Sequence, residues 1–210
     1  MGFPENKIRI MPSSIDTDKH FYPLEQKFLY DLLFVGTLDD NKRILSIMMA
    51  VKKLVMEGHN INFGIAGFGS LENEIKSFIK ENHLEQNIIF LGEIENVFET
   101  MNSSRIFIMA SEFEGLPCAL MEAMACGKIV ITTPAGDIPD IVKDGETGFV
   151  IYNQDFASIA ERIKNVLQNF DHYKSISRNA RDIIVEKVSF RSTTLKWNTL
   201  LTEIINENHN

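Results

Sequence analysis

The chain has 210 residues, 44% of them hydrophobic, enough to enclose one full core. Its 21 basic and 29 acidic residues leave a formal net charge of -8, which argues against nucleic acid or an anionic membrane as the dominant partner while leaving room for a local basic pocket. No stretch approaches the roughly 18 consecutive apolar residues of a membrane span, and the opening Met1-Gly-Phe-Pro-Glu-Asn-Lys7 lacks the apolar run of a signal peptide, so a cytoplasmic location is expected.

In chain order, Lys7-Ile-Arg-Ile-Met11 reads as a strand, set apart from the first βα unit by Pro12, Pro23 and the polar run between them. Residues 1–25 therefore read as a segment left from something upstream. Short apolar runs then alternate with helical patterns. The runs are Leu32–Gly36, Ile61–Ala66, Ile88–Leu91, Ile106–Met109, Ile129–Thr132 and Gly148–Ile151. Their nearly continuous hydrophobicity suits strands covered on both faces of a parallel sheet. Between them, Lys42–Glu57 places Ile44, Ile47, Met48, Val51, Leu54 and Val55 on one helical stripe. Leu71–Asn82 and Pro117–Cys126 behave alike, and Ile94–Asn102 predicts a shorter helix. After Ile151 three amphipathic helices are expected, Asp155–Phe170, Tyr173–Lys187 and Arg191–Asn206, with Asp155 and Ser189 as N-caps of the first and last. The alternation predicts an α/β fold: a doubly wound, mostly parallel, Rossmann-like sheet of about six strands over residues 26–210, with C-terminal helices.

Cys118 and Cys126 fall on one predicted helix, about 12 Å apart at 1.5 Å per residue, too far for a disulfide. They are expected to be buried small hydrophobes in a reducing compartment. The histidines at 20, 59, 83, 172 and 209 share no ligand spacing, and no metal site is expected.

Ligands of doubly wound sheets bind beyond the carboxyl ends of the strands, and four loops there hold suggestive residues. In Ser111–Gly127, Pro117 suits a helix's first turn and Gly115 permits close backbone approach. The free amides around Leu116, Cys118, Ala119 and Leu120 would face an anion. Glu122, about 7.5 Å up the axis, would reach back beside it, because helical side chains lean toward the N-terminus. A carboxylate is a poor neighbour for phosphate and a good acceptor for sugar hydroxyls. Glu114 and Glu122 around a phosphate-binding turn thus suggest a nucleotide sugar. The plainer reading makes Glu114 a capping-region charge and Glu122 a solvated helix residue. In Gly36–Arg43, Lys42 and Arg43 stand at a helix start, where the dipole disfavours cations unless they neutralise a diphosphate; otherwise they are surface charges. Ala66-Gly-Phe-Gly-Ser70 carries Gly67 and Gly69 without a third glycine, a weak dinucleotide signal and equally a tight turn needing no ligand. Leu91-Gly-Glu-Ile94 would offer backbone groups to a base edge and is uninformative by itself.

Together these stretches resemble a known family. Glu114-Gly-Leu-Pro-Cys-Ala-Leu-Met-Glu-Ala-Met-Ala-Cys-Gly127 is similar to the E-x7-E motif of retaining group 1 (family 4) glycosyltransferases of the GT-B fold. Thr133–Phe149, Phe34-Val-Gly-Thr-Leu38 with Lys42, Ile65–Gly69 and Phe90-Leu-Gly92 resemble the family's other stretches in the right order. The resemblance implies that Glu114 is catalytic and touches the donor sugar. It places Glu122 on the ribose and the amides of Gly115, Leu116, Pro117's neighbours, Cys118 and Ala119 with Lys42 on the diphosphate. Ile94 would meet the base. It further implies transfer from a nucleotide-diphosphate sugar with retention, without a metal or other cofactor, as in the synthesis of glycans or surface polysaccharides.

Departures accompany it. Thr37 stands where the family usually has Arg, and Arg43, where it often has Gly, would compensate. Pro12-Ser-Ser-Ile-Asp16 replaces Pro-Asn-Gly-Ile-Asp, and Asp140 replaces Glu. The acceptor-binding first domain of GT-B enzymes is not in this sequence, so the chain is expected to be the donor-binding half, inactive alone. Its partners would be a nucleotide sugar and that N-terminal domain, in cis or as a separate subunit, with peripheral membrane association through the missing half. Leu195, Trp197, Leu200, Leu201 and Ile204 of the last helix would then be partly exposed. Two other readings stay open: a non-catalytic nucleotide-sugar-binding module or split-enzyme subunit, and another α/β enzyme, either a GT-B epimerase or a nicotinamide-dependent oxidoreductase, the latter disfavoured by the incomplete glycine fingerprint.

Overall fold

A computed structural model of the chain describes residues 8–9, 11, 13–24 and 27–207. Six strands alternate with helices: β1 (Tyr30–Val35), α1 (Ile44–Met56), β2 (Phe63–Ala66), α2 (Glu72–Glu81), β3 (Ile88–Gly92), α3 (Val97–Asn102), β4 (Ser104–Ile108), α4 (Cys118–Ala125), β5 (Ile129–Thr132) and β6 (Phe149–Val150). Three more helices close the chain, α5 (Phe156–Gln168), α6 (Lys174–Val188) and α7 (Phe190–Glu207). The sheet order is β3-β2-β1-β4-β5-β6, and every pairing is parallel. The expected doubly wound α/β fold is therefore present, with a wholly parallel sheet.

Alternation along the strands explains why both faces are covered, because successive side chains point to opposite sides. Leu32, Phe34, Ile106, Ile108, Ile129 and Ile131 join one core with α1, α2 and α5. Leu33, Phe107, Met109 and Val130 join the other with α4 and α6. β2 and β5 are buried at every position, and each such aliphatic or aromatic side chain contributes roughly 1.5–3 kcal/mol by leaving water.

Helix starts differ from the predicted ones for local reasons. The helix expected from Ile94 begins at Val97, because the Asn96 side chain accepts the Glu99 amide at 3.0 Å and caps it there. The one expected from Lys42 begins at Ile44. Asp39 caps a 3-10 turn over Asp40–Lys42 by accepting the Lys42 amide at 3.2 Å, and Arg43 then adopts a left-handed conformation (φ 49°). Asp155 accepts the Ala157 and Ser158 amides, and the Ser189 hydroxyl accepts the Ser192 amide at 3.1 Å, so both expected caps are present. Pro117 is the N-cap of α4, with extended backbone, rather than a residue of its first turn. Cys118, expected to be buried, is exposed, since the first turn of α4 lies at the rim of the sheet; Cys126 is buried, and burial pushes its thiol up to about 12.

Of the predicted strand Lys7–Met11, Lys7 and Ile10 lie outside the described residues, as does Pro12; Ile8, Arg9 and Met11 are in no strand. Residues 15–24 pack onto the domain. Ile15 exchanges backbone hydrogen bonds with Val188 and Phe190. Arg181 donates to the carbonyls of Phe21, Thr17 and Ala125. On α7, Leu195, Trp197, Leu201 and Ile204 are exposed, as expected.

Candidate functional site

The strand order reverses between β1 and β4: β2 and β3 lie to one side, β5 and β6 to the other. At such a switch point the loops leaving the two central strands diverge and open a crevice. Here they are Gly36–Arg43 after β1 and Met109–Pro117 after β4, the two loops that carry most of the predicted site.

Three consecutive residues of the first loop hold three consecutive residues of the second. The Asn41 carboxamide takes both backbone groups of Phe113, donating to its carbonyl and accepting its amide, each at 3.0 Å. Lys42 Nζ meets Glu114 Oε1 at 2.5 Å, with only 18% and 10% of the two side chains exposed. Arg43 pairs with Glu112. A mostly buried ion pair returns little net stability for the desolvation it requires. One of the three Lys42 donors is occupied by Glu114. Arg43 holds a conformation that glycine tolerates and that costs an L-residue about 1–2 kcal/mol.

The β5 loop braces this turn from the far side. Asp137 donates its amide to the Gly115 carbonyl at 3.1 Å, and Gly136 has φ +54°, with a Cβ there falling 1.9 Å from the Glu114 carbonyl oxygen. Only glycine fits. Gly115 differs: a Cβ built on it meets nothing within 4 Å, so the protein itself imposes no need for glycine and the space beside the turn is open.

Next comes α4, whose amide ladder begins with the Met121 amide on the Pro117 carbonyl at 3.2 Å. The amides of Cys118, Ala119 and Leu120 donate to no described protein group, Pro117 offers no side-chain cap, and no acidic residue occupies the first turn. Helix amides left bare in this way, with the positive end of the dipole, are able to receive an anion. Glu122 lies on the second turn, half-buried; burial holds its carboxyl above the ordinary glutamate range, and its carboxylate has no hydrogen-bond or ion-pair partner among the described residues. It is not the solvated helix residue of the plainer reading. Ser111, fully buried in the loop after β4, likewise has a hydroxyl without a partner among the described residues.

The remaining predicted residues lie around this cluster or apart from it. Thr37 is exposed and donates to Asp39 Oδ2 at 3.0 Å. Gly67 and Gly69 lie after β2, where a Cβ would fall 1.8 Å from the Gly36 carbonyl oxygen and 2.3 Å from that of Leu38. Close packing of the β2 loop on the β1 loop accounts for both glycines. Leu116 and Ala119 are half-buried beside the turn. Ile94 is half-buried in the β3 loop, two strands from β1, and is not hydrogen-bonded to the Lys42–Glu114 cluster. Sequence reasoning missed Asn41, Ser111, Glu112 and Gly136. Gly136 alone carried a signal, as a glycine in a loop leaving a strand at the same edge. Among the described residues no group of three or more His, Cys, Asp or Glu is placed to hold a metal ion, and no helix is long and apolar enough to cross a membrane.

Against this geometry, comparisons with known proteins converge. The model of the family described as glycosyl transferases group 1 matches residues 16–183. The capsular polysaccharide biosynthesis glycosyltransferase CapM of Staphylococcus aureus is 27% identical over 219 residues, covering 97% of this chain and 56% of that protein. A structure of S. aureus TarM in complex with fondaparinux, alpha-GlcNAc-glycerol and UDP superimposes with a TM-score of 0.82 at 22% identity, over 94% of this chain and 40% of that one. The C-terminal domain of a glycosyl transferase group 1 protein from Francisella tularensis gives a TM-score of 0.76 at 22% identity and is covered over its whole length, with 84% of this chain. The likeness to solved structures shows the fold. The chain spans about half the length of the curated relatives it matches.

Proposed function

The chain belongs to the glycosyl transferases group 1 family, and on that premise we propose that it is the donor-binding half of a retaining, metal-independent glycosyltransferase that moves a sugar from a nucleotide-diphosphate donor to an acceptor. The observation that carries this reading is the bare N-terminus of α4 beside the Lys42–Glu114 pair at the switch point. The amides of Cys118, Ala119 and Leu120 bind the diphosphate and, with the free donors of Lys42, stabilise charge on the leaving group. Glu114 accepts hydroxyls of the donor sugar, Glu122 accepts those of the ribose, and the Ile94 loop takes the base. Retention is supported by the likeness of Glu114–Gly127 to the E-x7-E stretch, and a role in polysaccharide synthesis by relatives such as CapM.

The coverage of about half of each curated relative supports a second, acceptor-binding domain as partner, in cis or as a subunit. The exposed apolar side chains of α7 are a face such a body would cover. Without it the chain binds donor and transfers little; the reaction belongs to the cytoplasm, where Cys118 and Cys126 stay reduced. Calorimetric titration with UDP-, GDP- and ADP-sugars tests the assignment. Binding of one class, weakened by both Glu122→Ala and Lys42→Ala, supports it, and unchanged affinity in both variants overturns it.

One observation favours a second reading, a binding module without catalysis. Both cations of the β1 loop are already tied to acids, Lys42 to Glu114 and Arg43 to Glu112, and position 37 is Thr. Adding a matching acceptor domain separates the two: restored transfer supports the enzyme, and silence with donor bound supports the module.

A further inference from the structure

Past the Glu114 turn, the carboxyl edge of the sheet continues into a recess whose side chains donor binding does not use. Two cavities of about 430 and 400 Å³ adjoin there, and Val150 and Tyr152 line both. Each falls within the roughly 300–1,000 Å³ of small-ligand sites. Asn153, Glu161 and Asn165 are among the walls of the first, and Asp144 and Glu146 among those of the second. Arg162 from one and Asp144 from the other meet at 3.5 Å, so the two walls are linked.

Tyr152 stands between the cavities, 71% exposed. Among the described residues its side chain has no hydrogen bond and no ring contact. Its backbone mount is nonetheless short and fixed: Ile151 donates to the Thr132 carbonyl at 2.8 Å, and Asp155 caps α5. A bare aromatic ring on a rigid mount is a recognition element more readily than a packing one.

The recess also adjoins the reaction centre. The β5 loop presses Gly136 and Asp137 against the Glu114–Gly115 turn, and its other residues Pro134, Ile138 and Pro139 wall the second cavity. One short loop thus separates the groove from the proposed donor-sugar position.

The chemistry selects a ligand class. A pyranose ring presents an apolar face of C–H groups that stacks on an aromatic ring, and a rim of hydroxyls that carboxylates and carboxamides bind. Two cations, Lys143 and Arg162, face three carboxylates, Asp144, Glu146 and Glu161, for a formal charge of -1. Polyanions and nucleotides are therefore disfavoured. We propose that this groove binds an uncharged glycan chain, with a sugar unit on each side of Tyr152, leading toward the Glu114 turn. The purpose of that chain, as the far part of an acceptor or product, rests on the glycosyltransferase reading; the binding itself does not.

Native electrophoresis of the full chain through gels containing hydroxyethylcellulose, pullulan or dextran, with dextran sulfate as the charged control, tests it. At least one neutral polymer should retard the chain, Tyr152→Ala should weaken that retardation about tenfold in apparent affinity, and dextran sulfate should not retard it. Failure of all three neutral polymers, equal retardation of Tyr152→Ala, or retardation by dextran sulfate as strong as by any neutral polymer overturns the groove. Titrations of the same samples with UDP, GDP and ADP separate the two proposals. Nucleotide binding that Tyr152→Ala leaves intact, without glycan retardation, overturns the groove and keeps the donor site. Retardation lost in Tyr152→Ala, with no nucleoside diphosphate bound, keeps the groove and overturns the donor reading.

Discussion

Two regions treat their polar groups in opposite ways. Where residues 15–24 cross the domain, the polar side chains that hold them are fully engaged. Asn102, wholly buried, accepts the Leu24 amide at 2.9 Å and donates to the carbonyls of Tyr22 and Phe98, while its own carbonyl takes the buried Lys128 ammonium at 3.1 Å. Arg181 serves three carbonyls at once. At the N-terminus of α4 the amides of Cys118–Leu120, the Glu122 carboxylate and the Ser111 hydroxyl have no partner among the described residues. Folding alone favours the first pattern, because an unpaired buried polar group costs about 1–3 kcal/mol. The second pattern is the one that a bound diphosphate, as proposed, would complete.

Substitutions should separate the two regions. Asn102→Ala leaves the Leu24 amide and the Tyr22 carbonyl without their partner, and a loss of about 2–4 kcal/mol in urea unfolding is expected, with nucleotide affinity unchanged. Gly136→Ala drives a Cβ into the Glu114 carbonyl from a left-handed backbone. It should cost about 1–3 kcal/mol and, unlike Asn102→Ala, weaken nucleotide binding by displacing the turn. Lys42→Ala removes the proposed diphosphate donor; the dissociation constant for nucleoside diphosphate, read by calorimetry, should rise about tenfold, or 1.4 kcal/mol.

The smallest effect comes from Glu122→Gln. Burial raises the folded-state pKa of Glu122 above its unfolded value, so the folded chain holds the proton longer and stability declines as pH rises between the two values. Removing the charge should raise the thermal midpoint at pH 7, and that advantage should vanish as pH falls below the ordinary glutamate range. Nucleotide affinity should fall in the same variant. A single substitution that stabilises the fold and weakens the ligand would sharpen the contrast; one that destabilises both would break it.

Much of the fold is legible from residue order. Runs such as Ile129–Thr132 are nearly continuously apolar and are buried at every position because both faces of the sheet are covered, and that pattern predicts interior parallel strands. Glu114 and the amide-rich turn before α4 are legible as parts, since each obeys a local rule of helix ends, and Lys42 is legible because a cation at a helix start breaks one. Their assembly is not. Asn41 grips Phe113 and Lys42 meets Glu114 across 72 residues, contacts that exist only because β1 and β4 are neighbours. Nor does sequence fix the approach of Gly136 to Glu114, the exposure of Cys118 or the bare ring of Tyr152, all of which depend on where loops meet at the rim. Pro117 fits the backbone of an N-cap as well as that of a first turn, so α4 starts one residue later than expected.

The first amides of α4 are proposed to receive the diphosphate of a nucleotide sugar. Amide resonances of the isotopically labelled chain, followed while UDP, GDP and ADP are added, test this most directly. The expected result is saturable shifts at Cys118, Ala119 and Leu120 with one of the three nucleotides, much reduced in Lys42→Ala. Nucleotide shifts confined to other parts of the chain, or none with any of the three, would contradict it.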